Sequence, residues 1–198
     1  MSSILIVKTS SMGDVIQYLP AVTDLHRNHP ALAIDWVLEA PFAPLARLHP
    51  AVRRVIPIAL RSWRKRLWSA RTWRAYASLR DELREAHYDL VIDAQGLLKS
   101  ALIARLARAP ISGYAKSSAR EPIASRFYQQ TFPVSWQRHA VERNRLITAA
   151  ALGYPMEGEA DYGIGAPAPA PDAWAPPEPY VLLLTATARA EKLWPEPN

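Results

Sequence analysis

No cysteine occurs among the 198 residues, so the chain forms no disulfide and offers no thiolate as nucleophile or metal ligand. No run of 18 or more apolar residues occurs, and nothing reads as a membrane-spanning helix. The opening stretch Met1–Lys8 lacks the basic n-region, the length and the cleavage site of a secretion signal, which leads to the expectation of a cytoplasmic protein. Also missing are a G-x-G-x-x-G fingerprint and a G-x-x-x-x-G-K-[ST] loop, which removes the usual signatures of dinucleotide and P-loop nucleotide binding. There is no D-x-D pair to hold a metal-bound sugar nucleotide, and no cluster with ligand spacing accompanies His139, which reads as structural. Acidic residues are absent from Arg61 to Arg74, where six basic residues stand: Arg61, Arg64, Lys65, Arg66, Arg71 and Arg74. A field of that sign attracts phosphates, whether on nucleic acid, on lipid headgroups or on a phosphorylated sugar.

What is present is ordinary globular composition, 49% apolar and 21% charged, in a chain long enough for one packed domain and a remnant. Short apolar runs at Ile4–Lys8, Ala33–Leu38, Val52–Ile58, Asp89–Asp93 and Ile111–Tyr114 predict strands. Between them, helical spacing is read from Val15 through Leu25, from Trp73 to Glu85, from Leu97 to Arg108 and from Arg138 to Ala151. Pro20 either kinks the first of these helices or marks its true first turn. Alternating strand and helix predicts an α/β fold, a Rossmann-like, doubly wound parallel sheet covered on both faces. Residues 1–165 are expected to form that domain. Residues 166–179, rich in proline and alanine, read as a stiff linker. Tyr180–Leu184 then reads as a new strand with a polar loop after it, so that 180–198 would be the start of a second, truncated domain.

Chemistry is expected beyond the carboxyl ends of the strands, where open α/β sheets bind ligands. The first such place is the loop Thr9–Asp14: Gly13 permits a tight turn or a close approach, and Asp14 is either a general base or a helix cap. The second is Arg61–Trp68, whose arginines and Lys65 suit phosphate, the alternative being a solvated face. Trp63, Trp68 and Trp73 recur every five residues, which does not keep one helical face and favours contact with something amphipathic. In the third, Asp93–Ser100, Gln95 and Lys99 are candidates for the same cleft as Asp14. In the fourth, Arg120 either binds an anion or pairs with Glu121.

These segments together resemble the heptosyltransferases of glycosyltransferase family 9. The resemblance is carried by Leu5–Val15, Asp93–Ala101, Ala119–Pro122, His139–Arg143, and Lys192 with Trp194–Glu196, so it runs from the first strand to the last residues. It implies a GT-B fold, two Rossmann-like domains facing across a cleft, of which this chain carries the N-terminal, acceptor-binding one. It implies inverting, metal-independent transfer of heptose from ADP-heptose to the Kdo of a lipid A acceptor, with no cofactor and no nucleic acid. In that reading Asp14 is the catalytic base, and Arg61, Arg64, Lys65, Lys99 and Arg120 face the acceptor. Thr187 and Lys192 contact the donor pyrophosphate, although Ala188 stands where a second threonine is frequent. The implied location is the cytoplasmic face of the inner membrane, held peripherally. The competing expectation is a noncatalytic anion- or nucleic-acid-binding module of Rossmann-like shape, which would show salt-dependent binding to generic DNA or RNA.

Overall fold

The computed structural model describes residues 2–66, 68–165 and 179–181, with the backbone alone at position 64. The chain divides into two units, Met1–Gly165 and Ala166–Asn198. The expected linker and the expected strand Tyr180–Leu184 lie largely outside the described residues, as do Thr187 and Lys192.

The first unit is a six-stranded sheet in the order β3-β2-β1-β4-β5-β6. The strands are β1 (Ser3–Val7), β2 (Ala33–Glu39), β3 (Val52–Ile58), β4 (Leu90–Asp93), β5 (Ile111–Tyr114) and β6 (Gln130–Phe132). Every neighbouring pair is parallel. This is the doubly wound order, in which the chain moves outward from β1 in one direction and then from β4 in the other. The crevice between β1 and β4 is therefore the place where loops diverge and a ligand can enter.

The pleat explains how one short strand serves two cores. Ile4 and Ile6 point to one face and join Tyr18, Leu19, Val22 and Leu25 together with Ile147. Leu5 and Val7 point to the other and join Leu79, Leu83, Ala101 and Ile103. All four strand side chains are fully buried, each contributing about 1.5–3 kcal/mol relative to exposure. The first face is covered by α2 (Leu19–Asn28) and α7 (Ala140–Leu152), the second by α5 (Ala70–Glu85) and α6 (Leu98–Ala104).

Pro20 sits in the first turn of α2, where a missing N–H costs nothing. His139 caps α7, its Nδ1 accepting from the Val141 N–H, and Gly153 ends the helix with φ of 75°. A buried ion pair fastens α2 to α7: Arg145 Nε lies 2.6 Å from Asp24, and its other N–H groups donate to the carbonyls of Glu157 and Gly158. The helix expected from Leu97 to Arg108 is shorter, since a 3-10 turn at Arg105–Ala107 and a left-handed Arg108 close it. Strand β6 had no counterpart in the sequence reading; its three residues are largely exposed at the sheet edge and carry no apolar alternation.

Candidate active site

Continuing the alternation of Ile4 and Ile6 by one step places Lys8 on the α7 face, just past the end of β1. Lys8 is buried there and donates to the Ala94 carbonyl at 2.8 Å and to Asn144 Oδ1 at 3.2 Å. Burial pulls its ammonium down to about 8, against the attraction of Asp14 and with Arg120 and Arg143 pushing the same way as burial. Gln95, beyond the end of β4, reaches back across the switch point. Its Oε1 accepts from the Thr9 N–H at 3.0 Å and from the Ser10 N–H at 3.3 Å. The two loops that flank the crevice are thus tied together by one buried amide.

Asp14 lies in α1 (Met12–Ile16), three residues after the cap Ser11. One carboxylate oxygen accepts from the Ser11 backbone N–H at 2.6 Å and its hydroxyl at 3.2 Å. The other oxygen stands 3.5 Å from Arg120 Nη2. The cap and the general base are therefore not rival readings: one oxygen fixes the side chain and leaves the other facing the cleft. The Asp14 side chain is only 17% exposed, against 51% for Arg120. Gly13 lies within α1, so it forms no separate tight turn, and a Cβ there would meet open space.

Arg120 does not pair with Glu121. The Glu121 carboxylate instead accepts from the Leu98 N–H at 2.7 Å, and its own N–H donates to the Gly96 carbonyl. Gly96, at φ of 66°, is what lets the two loops meet: a Cβ there would lie 3.3 Å from the Arg120 nitrogen. Asp93 underlies the same loop and is fully buried. It accepts from the backbone of Gln95 and Gly96 and from the hydroxyls of Ser100 and Tyr128. Burial raises its carboxyl while these four donors oppose the rise. Asp93 is a structural keystone, with no lone pair left over for chemistry.

The result is a small polar cleft, about 30 Å³, lined by Lys8, Asp14, Gln95, Arg120, Arg143 and Asn144, among others. A second and larger recess, about 720 Å³, has Ser10 and Glu39 in its lining. Its wall is apolar, formed by Leu60, Trp63, Tyr76 and Leu102, with Trp63 set edge-on to Tyr76 at 6.4 Å. Arg61, Lys65 and Lys99 bring its positive charge. Lys99 therefore joins Arg61 and Lys65, and not Asp14 as the sequence had suggested. Arg64 lies on the same short helix, α4 (Leu60–Lys65). Trp68 is fully exposed and Trp73 largely so, whereas Trp63 packs, which is the mixture that a five-residue spacing dictates. Among the described residues no three His, Cys, Asp or Glu side chains gather as a metal site.

Sequence reasoning assigned no role to Lys8, Arg143 or Asn144. For Lys8 a signal existed, the pleat that carries it to the face of Ile4 and Ile6. Arg143 lies in a segment that carries the family resemblance, but neither it nor Asn144 is placed by its own surroundings in sequence, because only the packing of α7 over β1 brings them to the crevice.

Residues 76–198 match the family model described as glycosyltransferase family 9 (heptosyltransferase). The chain is 50% identical over 195 residues to lipopolysaccharide heptosyltransferase 1 of Pseudomonas aeruginosa, covering 98% of this chain and 54% of that protein. It is 45% identical over 195 residues to the protein of the same name from Escherichia coli K12, covering 98% of this chain and 61% of the relative. Among solved structures, E. coli heptosyltransferase WaaC with ADP-2-deoxy-2-fluoro heptose superposes with a TM-score of 0.88 at 44% identity, covering 98% of this chain and 62% of that one. E. coli ADP-heptose lps heptosyltransferase II, at 22% identity and a TM-score of 0.57, shares the fold. The chain thus spans between 54% and 62% of the length of the three relatives that are 44–50% identical to it.

Proposed function

The chain belongs to glycosyltransferase family 9, and on that premise we propose that it is the acceptor side of a heptosyltransferase of the lipopolysaccharide core, with Asp14 as its base. Residues 1–165 take the acceptor. Residues 166–179 are the linker, and 180–198 open the domain that takes ADP-heptose.

The observation that carries this reading is the divided carboxylate of Asp14. One oxygen is anchored on Ser11, and the other faces a cleft beside Arg120 at the switch point of the sheet. A base of this kind needs a fixed orientation and a free lone pair within reach of the proton it removes. Asp14 accepts the proton of the attacking Kdo hydroxyl as its oxygen forms the new bond to the anomeric carbon of heptose. The bond from that carbon to the diphosphate breaks, and ADP leaves with the electron pair. Attack from the face opposite the leaving group inverts the anomeric centre. Arg120 lies beside the reacting group, while Arg61, Arg64, Lys65 and Lys99 hold the phosphates and carboxylates of the Kdo-bearing lipid A. On the donor side Thr187 and Lys192 contact the diphosphate, the lysine offsetting part of the charge of the leaving group, and the reading contains no metal step. An acceptor carried by a lipid implies peripheral contact with the cytoplasmic face of the inner membrane. The apolar wall beside Arg61 and Lys65 supports that, since an amphipathic ligand asks for both characters in one recess.

The test is heptose transfer from ADP-heptose to Kdo-lipid A by a two-domain enzyme carrying this chain with Asp14→Asn. The expected result is a kcat roughly 10²–10⁴-fold lower, the usual contribution of a positioned general base, with KM little changed. An unaltered kcat would refute the role.

A further inference from the structure

The cations Arg61 and Lys65 stand on a helix too short to hold itself. α4 has six residues, fewer than an isolated helix needs in water, and its first N–H groups find no partner inside it. Ala59, the residue before its first turn, has no side-chain oxygen to cap them. The acceptor comes instead from another element: Glu39, the last residue of β2, accepts from the Arg61 N–H at 3.1 Å through Oε1.

Glu39 is only 4% exposed, and among the described residues that line the larger recess it is the one carboxylate, set with Arg61, Lys65 and Lys99. A carboxylate withdrawn from water destabilises the fold unless donors and cations compensate it, and here both are close at hand. Its backbone serves a different loop: the Glu39 N–H donates to the Thr9 carbonyl at 2.9 Å, at the start of the segment that carries Asp14. Three residues further on, the Phe42 ring centre lies 5.9 Å from the Arg61 guanidinium. The end of β2 therefore grips Arg61 by its backbone and by its side chain, and it steadies the Asp14 loop through a main-chain bond that a change of side chain leaves in place.

We propose that Glu39 is a positioning residue for acceptor binding: its carboxylate latches the first turn of α4 to the end of β2 and so keeps the cations of that helix seated at the recess. The inference rests on the acceptor-side reading given above. Arg61 and Lys65 serve a phosphate-bearing ligand only while α4 is folded and seated. Where the seated form is a fraction of the molecules, apparent affinity falls by that fraction. The side chain touches no reacting atom, and the bond to Thr9 is main-chain, so losing the carboxylate acts on acceptor affinity and spares the chemical step. The sign of the effect separates two causes. By charge alone, a carboxylate among cations weakens their pull on an anion, and its removal would tighten binding. Removal of a latch loosens it.

The experiment joins steady-state kinetics of a two-domain enzyme carrying this chain to amide hydrogen exchange of the same protein, for the wild type, Glu39→Ala and Glu39→Gln. In Glu39→Ala, exchange over Leu60–Lys65 is expected to quicken while that of β1 and β4 stays as it is. KM for Kdo-lipid A should rise roughly five- to thirtyfold, with kcat within about twofold and KM for ADP-heptose unchanged. Glu39→Gln keeps an oxygen for the Arg61 N–H and loses the charge, so its KM should fall between those of the wild type and Glu39→Ala. A lowered KM in both variants would reveal a carboxylate that only offsets charge, and would overturn the latch. Unaltered exchange over Leu60–Lys65 would overturn it as well. Quicker exchange with an unaltered KM would remove the acceptor from α4, and with it the role of Glu39 in binding. If the wild type transfers no heptose to Kdo-lipid A, the acceptor-side reading falls, and exchange still decides the latch. Should circular dichroism show that Glu39→Ala does not fold, Glu39→Gln decides by the same two measurements.

Discussion

Lys8 is the cation whose protonation the fold disturbs most among the cleft residues. Its pKa is lowered from 10.5 to about 8, chiefly by burial, so the folded protein binds fewer protons than the unfolded chain between those values. Stability therefore rises with pH across that window; below about 8 the cost of burying the charged ammonium is present in full and does not vary with pH, and above 10.5 it is gone. The span corresponds to something on the order of 3 kcal/mol. Urea unfolding of the wild type and Lys8→Met at pH 7.5 and pH 10.5 should show the wild type gaining that increment relative to the variant. A difference that does not change with pH would mean that the lysine is solvated. Such a residue shows why the site was only partly legible. Asp14 was readable because cap chemistry and position after a strand are local properties. Lys8 and Arg143 owe their roles to partners 136 and 25 positions away in Asn144 and Ser118, and no window of sequence contains those pairs.

Among the elements, β5 is the one whose packing is least tolerant. Gly113 has the Tyr128 ring directly over it, and a Cβ would fall 2.4 Å from the ring carbon. The same tyrosine donates to buried Asp93 at 2.8 Å, and Asp93 in turn shapes the Gln95–Gly96 turn. Gly113→Ala is therefore expected to cost about 1–3 kcal/mol in chemical unfolding. Gly13→Ala, in open space within α1, should be neutral or stabilise by up to about 1 kcal/mol. Equal effects at the two glycines would contradict the packing. The principal strands and helices were legible because their apolar spacing is strong, although the single helix expected from Val15 through Leu25 is split into α1 and α2, and only the structure decides between the two roles open to Pro20. Strand β6 was not, because an exposed edge strand is defined by its hydrogen-bonded neighbour and not by its own side chains. The division of positive charge was also hidden: Lys99 and Arg120 flank the same loop in space, but α6 turns the first into the large recess.

At the scale of the molecule, the proposed reading makes the described unit one wall of a reaction site. Fixing two reactants against each other accounts for a large share of an enzymic rate. A polypeptide of residues 1–198 is therefore expected to transfer heptose negligibly in an assay with ADP-heptose and Kdo-lipid A. Turnover close to that of a complete two-domain relative would contradict this. The fold class was legible from the alternation of elements. What alternation does not reveal is where one architectural job ends and another starts, and the crevice makes that visible. Lys8, Gln95 and Asn144 are held by core strands and a long helix, whereas Arg61, Lys65 and Trp63 stand on a six-residue helix outside them. The foundation of the site and its façade are thus separately mounted. On the proposed reading, a protein engineer seeking a new acceptor could re-clad the second without disturbing the masonry that aims Asp14.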